Sequence, residues 1–451
     1  MSEVKIKEAA PMRNMGIWMI WAIGVGTVVG DGVFLLIGDG IRAAGPASVI
    51  VYLLAGLVQM ATMVGLGELA VGFPSGGAQS VWVEKFMGKG WGLLSGLTGS
   101  IGFLVLGGAL SLALGTFTCY YFPGLDQDVW TIVFALVFIT LFTALNIAGA
   151  AIAAKTQLIL VLILVTVMVG FGLIGIFKTN VANFVPFMPN GVQGCLEAFP
   201  SGIYVYMGAV ALCTSGGECR DKRDLGKGLV YSSITFLAVY TLGMAVVVGT
   251  VPYDQLGMDV SPYTVAAELI FGKAGGLVLN TAAWIATATS LLMGVIYVPS
   301  RMFYQLSRDG YLPRFFGKLN EKTRTPVKGL IFGWAVAVVT ILIAIVNDDF
   351  VYTFLVNQAT MMWIVSWCLA LIATFYYRRS LKGQNIKEVV GWKQPLFPLC
   401  PIVGLFGCSY TMYLCLAGNW GQLVAMGGWL LIYVFYYFGY IKKKTTLPEL
   451  H

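Results

Sequence analysis

The residues with the clearest chemical potential lie at positions 24–34, where four glycines surround one carboxylate. The segment reads Gly-Val-Gly-Thr-Val-Val-Gly-Asp-Gly-Val-Phe and lies inside the first long apolar run. Glycines weaken a helix, and inside a membrane such an interruption is tolerated where the opened backbone lines a cavity. The carboxylate of Asp31 is costly at that depth. We therefore expect a binding site at this segment.

A second glycine-rich interruption lies in the sixth apolar run. Residues 201–208 read Ser-Gly-Ile-Tyr-Val-Tyr-Met-Gly, and residues 213–217 read Cys-Thr-Ser-Gly-Gly. The first and sixth runs are the first members of two successive groups of five apolar runs. Breaks at corresponding positions of two halves indicate an inverted repeat and point to its ligand site. Close packing between membrane helices is the alternative use of such glycines.

The composition is that of a multi-pass membrane protein. Of 451 residues, 58% are hydrophobic and 11% are charged, and the mean hydropathy is +0.81, whereas a soluble domain carries about 25% charged residues. Spans need about 20 apolar residues. Twelve runs meet this requirement: 16–38, 47–67, 93–118, 128–147, 155–177, 199–217, 228–250, 276–299, 328–346, 350–376, 396–418 and 421–441.

The distribution of basic residues predicts the orientation in the bilayer. If both termini are cytoplasmic, only Arg42, Lys178 and Lys273 of the 28 Lys and Arg lie outside, which leaves 28 − 3 = 25 inside. Cytoplasmic loops of membrane proteins are enriched in these residues. We therefore predict a plasma (inner) membrane protein with both termini in the cytoplasm. The net charge of +7 comes from these loops and does not indicate a nucleic-acid partner.

Few residues suit catalysis or metal binding. The only histidine is His451, the last residue, and none of the eight cysteines forms a Cys-x-x-Cys pair. We also find no phosphate-binding loop and no cluster of nucleophiles. We therefore expect neither an enzyme nor a cofactor or metal. An integral membrane enzyme and a transport-like sensor stay as remote alternatives.

Four blocks of sequence resemble the amino acid–polyamine–organocation permeases, and they span nearly the whole chain. They are residues 30–34 (Gly-Asp-Gly-Val-Phe), 68–78 (Glu-Leu-Ala, then Pro-Ser-Gly-Gly-Ala), 218–225, and 301–310 followed by Pro313 and Thr325-Pro326. The resemblance implies one polytopic domain over residues 1–451 with a leucine-transporter-type fold. In that fold residues 16–177 and 199–376 form two inverted five-helix repeats, the first and sixth spans are broken, and two helices at 396–441 follow.

The resemblance also implies secondary transport of amino acids or related amines by alternating access, as a permease or an exchanger. An amine or polyamine carrier, or a precursor/product antiporter with Asp31 as counter-ion, is the alternative. Expected partners are a small-molecule substrate, a coupling proton or sodium ion, and the lipid bilayer, and the protein is expected to be a monomer or homodimer.

The two breaks predict the substrate-binding residues. Free N–H groups at the start of a half-helix suit a carboxylate, and free C=O groups at its end suit an ammonium. The resemblance assigns this role to the backbone around two groups of residues, which are Thr27, Val28, Gly30, Asp31 and Gly32 in the first span and Tyr204, Tyr206 and Gly208 in the sixth. It also implies that side chains of the third, eighth and tenth spans face the variable part of the substrate.

Two side chains at the breaks carry open alternatives. Asp31 replaces a small neutral residue of the family, and its carboxylate is a helix N-cap, a proton-coupling group or a counter-ion for a substrate ammonium. Tyr204 is at the position of an aromatic gate, where its ring would offer a cation–π face, or it packs against its neighbours. Tyr206 is the weaker candidate for a gate.

Coupling and gating residues are predicted outside the breaks. Lys155 is at the inner end of the fifth span, so the lysine that many relatives carry within that span is missing. Thr289 and Ser290 are candidate oxygen ligands for sodium, although such hydroxyls more often bond to the preceding turn. Glu68, with Arg301, Arg308 and Asp309, is predicted to form an inner ion-pair gate. Solvated loop charges are the alternative.

Overall fold

The computed structural model describes residues 11–35, 37–256, 261–344, 354–417 and 419–442, without the side chains of Asp31 and Leu35. Within these ranges the long elements are all helices, and Met15 and Cys219 form an isolated parallel bridge. The α-helices are α1 (Ile17–Val28), α2 (Asp31–Leu35), α3 (Ile37–Ala44), α4 (Ser48–Gly72), α5 (Gln79–Met87), α6 (Lys89–Cys119), α7 (Gln127–Ala148), α8 (Ala150–Gly175), α9 (Gly191–Val205), α10 (Arg223–Thr250), α11 (Pro262–Phe271), α12 (Lys273–Thr289), α13 (Tyr297–Arg308), α14 (Val327–Ala344), α15 (Leu355–Ser380), α16 (Ile386–Val390), α17 (Leu399–Leu416) and α18 (Trp420–Tyr436).

Several shorter helical segments complete the architecture. A 3₁₀ helix at Ala209–Gly217 continues the line of α9, and a π-helix at Ser290–Ile296 joins α12 to α13. Another π-helix, Tyr437–Ile441, ends α18. Further 3₁₀ turns lie at Gly45–Ala47, Ile176–Lys178, Val181–Phe184 and Tyr253–Gln255.

The described residues contain eleven helical stretches that are long and apolar enough to cross a membrane. The apolar helix α1 has 12 residues and is shorter than a full span. The chain is therefore an all-helical, multi-pass membrane protein, as the composition predicts. The predicted run 350–376 begins partly outside the described residues.

The sixth predicted run begins too late in the sequence-based assignment. Its helix, α9, begins at Gly191 rather than at position 199. Gln193 and Glu197 lower the hydropathy of this first part, and their side chains hydrogen-bond to each other across one turn at 3.1 Å. Such a pair at positions i and i+4 is compatible with a helix, but a hydropathy window does not detect it.

The chain departs from regular helix at both predicted interruptions. Val29 and Gly30 separate α1 from α2, and residues 206–208 separate α9 from the 3₁₀ helix. Gly208 has φ +122°, a conformation that a residue with a Cβ rarely adopts. Pro200 inside α9 lacks the N–H that an α-helix uses, which weakens the helix before the break.

The broken segments lie in the interior of the helical bundle. Helix α1 packs against α8, α10 and the 3₁₀ helix 209–217, while α6 packs against α14 and α15. In the apolar stretch of α6, 89% of the residues are buried, against 11% in α18. The exposed apolar side chains of α18, including Leu431, Ile432 and Phe435, suit a lipid environment.

Candidate functional site

The first break is held open by hydroxyl groups from two other helices. Ser290 Oγ donates to the carbonyl oxygen of Gly26 at 3.0 Å, and Tyr240 OH donates to that of Val28 at 3.0 Å. Carbonyl groups near a helix end have no partner within their own helix. The two hydroxyls therefore satisfy backbone groups that the break would otherwise leave unpaired in an apolar environment.

The two breaks are in direct contact with each other. Thr27 Oγ1 lies 3.1 Å from the carbonyl oxygen of Gly208 and 2.6 Å from that of Ile23. A Cβ built on Gly208 would lie only 2.1 Å from the carbonyl oxygen of Thr27. Only glycine fits at position 208, because both the close approach and the positive φ exclude a side chain.

A cavity lies between the two breaks. Its volume is about 30 Å³. A Cβ on Gly30 would lie 2.7 Å from Ser290 Oγ, so glycine keeps this corner open. The lining residues are Thr27, Val28, Gly30, Gly32, Phe103, Leu106, Leu110, Tyr204, Val205, Met207, Ser290, Gly294, Val295 and Trp363.

The described walls of this cavity are mainly apolar, with a few polar side chains such as Thr27, Ser290 and Trp363. Phe103, Leu106 and Leu110 come from α6, and Trp363 comes from α15 with its ring 4.6 Å from that of Phe103. None of the described side chains that line the cavity carries a formal charge. An apolar pocket with a few convergent polar groups is the usual form of a small-molecule site.

Five of the predicted binding residues line the cavity, and two do not. Those at the cavity are Thr27, Val28, Gly30, Gly32 and Tyr204.

Tyr206 is fully buried, with its ring centroid 4.9 Å from that of Tyr240 and 5.5 Å from that of Phe236. It packs rather than faces the cavity. Gly208 lies behind the cavity against Thr27. Asp31 is the first residue of α2, and its side chain lies outside the described part of the structure.

Tyr204 lies next to the second half of the broken first segment. A Cβ built on Gly32 would lie 2.9 Å from Tyr204 Cε1, so the ring covers the backbone at Gly32. The side chain is partly exposed and lines the cavity. This position is compatible with the predicted gate, which stays a prediction.

The two candidate sodium ligands have different hydrogen-bond partners. Thr289 Oγ1 donates to Ala286 O at 2.8 Å, in the preceding turn of its own helix. Ser290 Oγ donates to Gly26 O on the broken first segment. Only Ser290 therefore reaches the break, where its contact supports the backbone.

Sequence reasoning missed several polar residues that support the site. Asn146 Nδ2 donates to Leu292 O at 2.9 Å and so satisfies a carbonyl of the π-helix. Gln157 is fully buried, and its Nε2 lies 3.4 Å from Ala22 O. Both are amides within otherwise apolar runs, and polar residues at membrane depth are a usable sign of function.

The structure does not bring together the residues of the predicted inner gate. Glu68 binds Arg378 through two contacts of 2.6 Å and accepts a hydrogen bond from the backbone N–H of Gln394 at 2.7 Å. Arg301 instead pairs with Glu218 at 3.2 Å. The bidentate geometry of Arg378 fixes Glu68 toward α15. Sequence spacing alone does not reveal which of two arginines faces a carboxylate.

The Glu218–Arg301 pair is buried beside the segment that precedes α1. Tyr297 OH donates to Glu218 Oε2, and the guanidinium carbon of Arg301 lies 3.7 Å above the Tyr297 ring. The N–H groups of Asn14 and Met15 donate to the carbonyl oxygen of Glu218 at 3.0 and 3.1 Å. Side chains and backbone therefore hold the segment before α1 against the end of the 3₁₀ helix 209–217.

Asp309 is a partner in neither of these two ion pairs. Gln305 Nε2 donates to its Oδ1 at 2.9 Å. Partial desolvation raises the pKa of Asp309 from its usual 3.8 to about 6, against the opposing effect of the Gln305 hydrogen bond. The nearby Arg308 lines a second cavity with Arg301.

Comparison with known families identifies the class of this membrane protein. A model of the family described as amino acid permease matches residues 19–450, nearly the whole chain and both breaks. The chain belongs to the amino acid permease family. This permease is therefore a secondary transporter of amino acids, a multi-pass membrane protein and not an enzyme.

Curated relatives are distant and cover the permease almost end to end. Amino-acid permease RocE of Bacillus subtilis (strain 168) is 27% identical over 412 residues, 87% of each chain. The branched-chain amino acid permease BcaP of Lactococcus lactis is 26% identical over 454 residues, 94% of this chain and 93% of the relative. The D-serine/D-alanine/glycine transporter of Escherichia coli (strain K12) is 23% identical over 453 residues, 94% and 95%.

Proposed function

We propose that the permease carries neutral amino acids with small or medium apolar side chains through the cavity between the two breaks. The observation that supports this most is the cavity wall. Its described side chains are uncharged, and the walls from α6 and α15 are apolar. An apolar side chain gains about 25 cal/mol for each Å² that it buries, whereas an unpaired charge would lose its solvation there.

The constant part of the substrate would bind to the broken backbone. The N–H groups that begin the second half of the first segment, near Gly30 and Gly32, would hold the carboxylate, and carbonyl groups near Thr27 would hold the ammonium. Ser290 and Tyr240 support this arrangement, because they fix the neighbouring carbonyls of Gly26 and Val28. Tyr204 would close the cavity.

An amine carrier is the second candidate, and Asp31 favours it. A carboxylate at the start of α2 would repel a substrate carboxylate and attract an ammonium. If Asp31 instead caps α2 or is protonated, an amino acid is the better ligand. The relative named as a branched-chain amino acid permease supports the amino acid.

The larger architecture that goes with this function is twelve spans in two inverted repeats. Helices α1 to α3 would supply the first span, with repeats at 16–177 and 199–376 and two more helices at 396–441. The two breaks five spans apart favour this arrangement. The charge asymmetry of the loops favours cytoplasmic termini in the cell membrane. A proton or sodium ion would drive transport, by a monomer or homodimer.

A panel of ligands in proteoliposomes tests the substrate class. We would measure counterflow of leucine, valine, alanine and glycine beside isoamylamine and putrescine, with and without sodium and at two pH values. We expect leucine, valine or alanine to give the fastest exchange, and the same ligands to raise the melting temperature of the purified permease.

The variant Asp31→Asn discriminates between the two candidates. Amino acid exchange that survives in Asp31→Asn supports the proposal. Exchange of isoamylamine or putrescine alone, lost in Asp31→Asn, would overturn the amino acid proposal in favour of the amine carrier.

A further inference from the structure

A second cavity opens at the inner end of the bundle, and we call it the inner vestibule. Its volume is about 370 Å³, against about 30 Å³ for the cavity between the breaks. It is therefore wide enough for a hydrated solute. Its lining residues are Pro11, Arg13, Pro74, Ser75, Gly76, Thr214, Gly217, Glu218, Arg301, Tyr304, Gln305 and Arg308.

The described lining of the inner vestibule is strongly basic. Arg13, Arg301 and Arg308 contribute three positive charges, and Glu218 contributes one negative charge, which gives 3 − 1 = +2. The carboxylate of Glu218 already binds Arg301 and Tyr297. Arg13 and Arg308 are exposed side chains that lie on two different elements, the segment before α1 and the end of α13.

The loop at residues 74–76 adds polar groups without charge. The hydroxyl oxygen of Ser75 is buried and has no hydrogen-bond partner in the part of the chain that the structure describes. Gly76 lies against Arg301, since a Cβ built on it would be 3.3 Å from Arg301 Cβ. A buried hydroxyl without a partner is unfavourable unless a ligand or water completes it.

We propose that the inner vestibule is a second carboxylate site, which receives the α-carboxylate of the substrate between the central cavity and the cytoplasm. This role rests on the proposed function. Arginine guanidinium groups bind carboxylates in a planar, two-pronged geometry. Arg13 and Arg308 would approach the carboxylate from two sides, and the Ser75 hydroxyl would donate to it.

The position of the vestibule explains why such a site is useful. Ile17 and Thr27 are ten residues apart in α1, which corresponds to about 15 Å of helix rise. The Glu218–Arg301 pair and the bonds from Asn14 and Met15 hold the inner end closed. A substrate that leaves the broken helices gives up its backbone partners, and the vestibule offers replacement partners for the carboxylate on the same route.

The experiment compares the two faces of the membrane. We would measure the KM of leucine exchange in right-side-out and inside-out vesicles for the wild type, Arg13→Gln and Arg308→Gln. The control Arg314→Gln removes an exposed charge in the loop after α13 that lines a different groove. We expect KM at the cytoplasmic face to rise about fivefold in the first two variants, because each loses an ionic hydrogen bond, while KM at the outer face stays unchanged.

Two further readouts separate this site from simple surface charge and from the proposed function. High salt should reduce the difference between wild type and variants, because exposed charges are screened. An equal change at both faces, or an equal effect of Arg314→Gln, would overturn the vestibule site. If wild-type vesicles exchange leucine and both Arg13→Gln and Arg308→Gln keep a normal KM, the vestibule site is overturned while the proposed function stands. Absence of any wild-type leucine exchange would overturn the proposed function and this site together.

Discussion

The central cavity lies at the end of α1 and the inner vestibule beside the segment before α1, and the two are built by opposite means. At the break, neutral hydroxyls of Ser290 and Tyr240 hold backbone carbonyls, and the described walls are uncharged. At the inner end, Arg301 and Glu218 form an ion pair next to a wide, basic space. Backbone groups provide fixed geometry, whereas ionic partners can separate into water and re-form. We therefore propose that the central cavity recognises the substrate and that the inner end controls access to the cavity.

The largest effect should come from the contact that joins the two breaks. Gly208→Ala places a methyl group about 2.1 Å from Thr27 O and forces a positive φ on alanine. We expect a loss of about 5 kcal/mol in the free energy of unfolding and no measurable leucine uptake. Gly427→Ala in α18 is the control, because nothing lies within 4 Å of its Cβ. Near-normal uptake and melting temperature in Gly208→Ala would show that the breaks do not touch.

The next effect should separate the two inner ion pairs. Glu218→Gln leaves the buried Arg301 without a charged partner and should cost about 3 kcal/mol of stability in the closed form. We expect Cys219, which is buried and follows Glu218 in the chain, to react faster with a maleimide in this variant.

Glu68→Gln is the matched variant, because it breaks the pair with Arg378 and leaves Glu218 intact. Cys219→Ser identifies the labelled site. Equal labelling of Cys219 in Glu218→Gln and in the wild type would mean that the Glu218–Arg301 pair does not close the inner end.

A smaller effect should reveal the size limit of the central cavity. Gly294 lies on its wall, and the nearest atom to an added Cβ is Thr27 Cγ2 at 3.6 Å. Gly294→Ala should therefore fold normally while its methyl group takes space from the substrate. We expect the KM for leucine to rise about tenfold, as for about 1.4 kcal/mol, and the KM for glycine to change little. An equal rise for both substrates would contradict a steric limit at this wall.

The smallest effect concerns pH at the C-terminal end of α13. The pKa of Asp309 is raised to about 6, above its usual 3.8, so the folded protein binds this proton more tightly than the unfolded chain. Stability from this group is greatest at acidic pH and decreases as pH rises from about 4 to about 6. Asp309→Asn should flatten the melting temperature over that range. We expect a shift of only a few degrees at most, because Asp309 is exposed to solvent. A wild-type profile identical to that of Asp309→Asn would refute the raised pKa.

The sequence alone predicts the class of the protein and the place of the central cavity. Apolar runs predict a multi-pass helical protein. Glycine clusters predict both breaks, because glycine weakens a membrane helix where it occurs. Thr27, Gly30, Gly32 and Tyr204 accordingly line the cavity. The resemblance indicates the third and tenth spans, now α6 and α15, as walls, but their individual residues could not be assigned, since Leu106 or Trp363 reads as any apolar residue of a span.

The pairing of charges could not be predicted for a different reason. Glu68 pairs with a residue 310 positions later, and Arg301 pairs with one 83 positions earlier. Which arginine meets which carboxylate depends on the relative rotation of packed helices. The span of α9 was also misjudged, because Gln193 and Glu197 make its first turns polar although they are helical.

The backbone bonds at the inner end have a consequence for measurement. The amide hydrogens of Asn14 and Met15 are held by the carbonyl oxygen of Glu218 while the inner end is closed. Amide hydrogens exchange with solvent deuterium only when such bonds open. The rate of deuterium uptake at these two positions therefore reports how often the inner end opens, in the native protein and without an attached probe. A transported substrate should change this rate, whereas an inert solute should not.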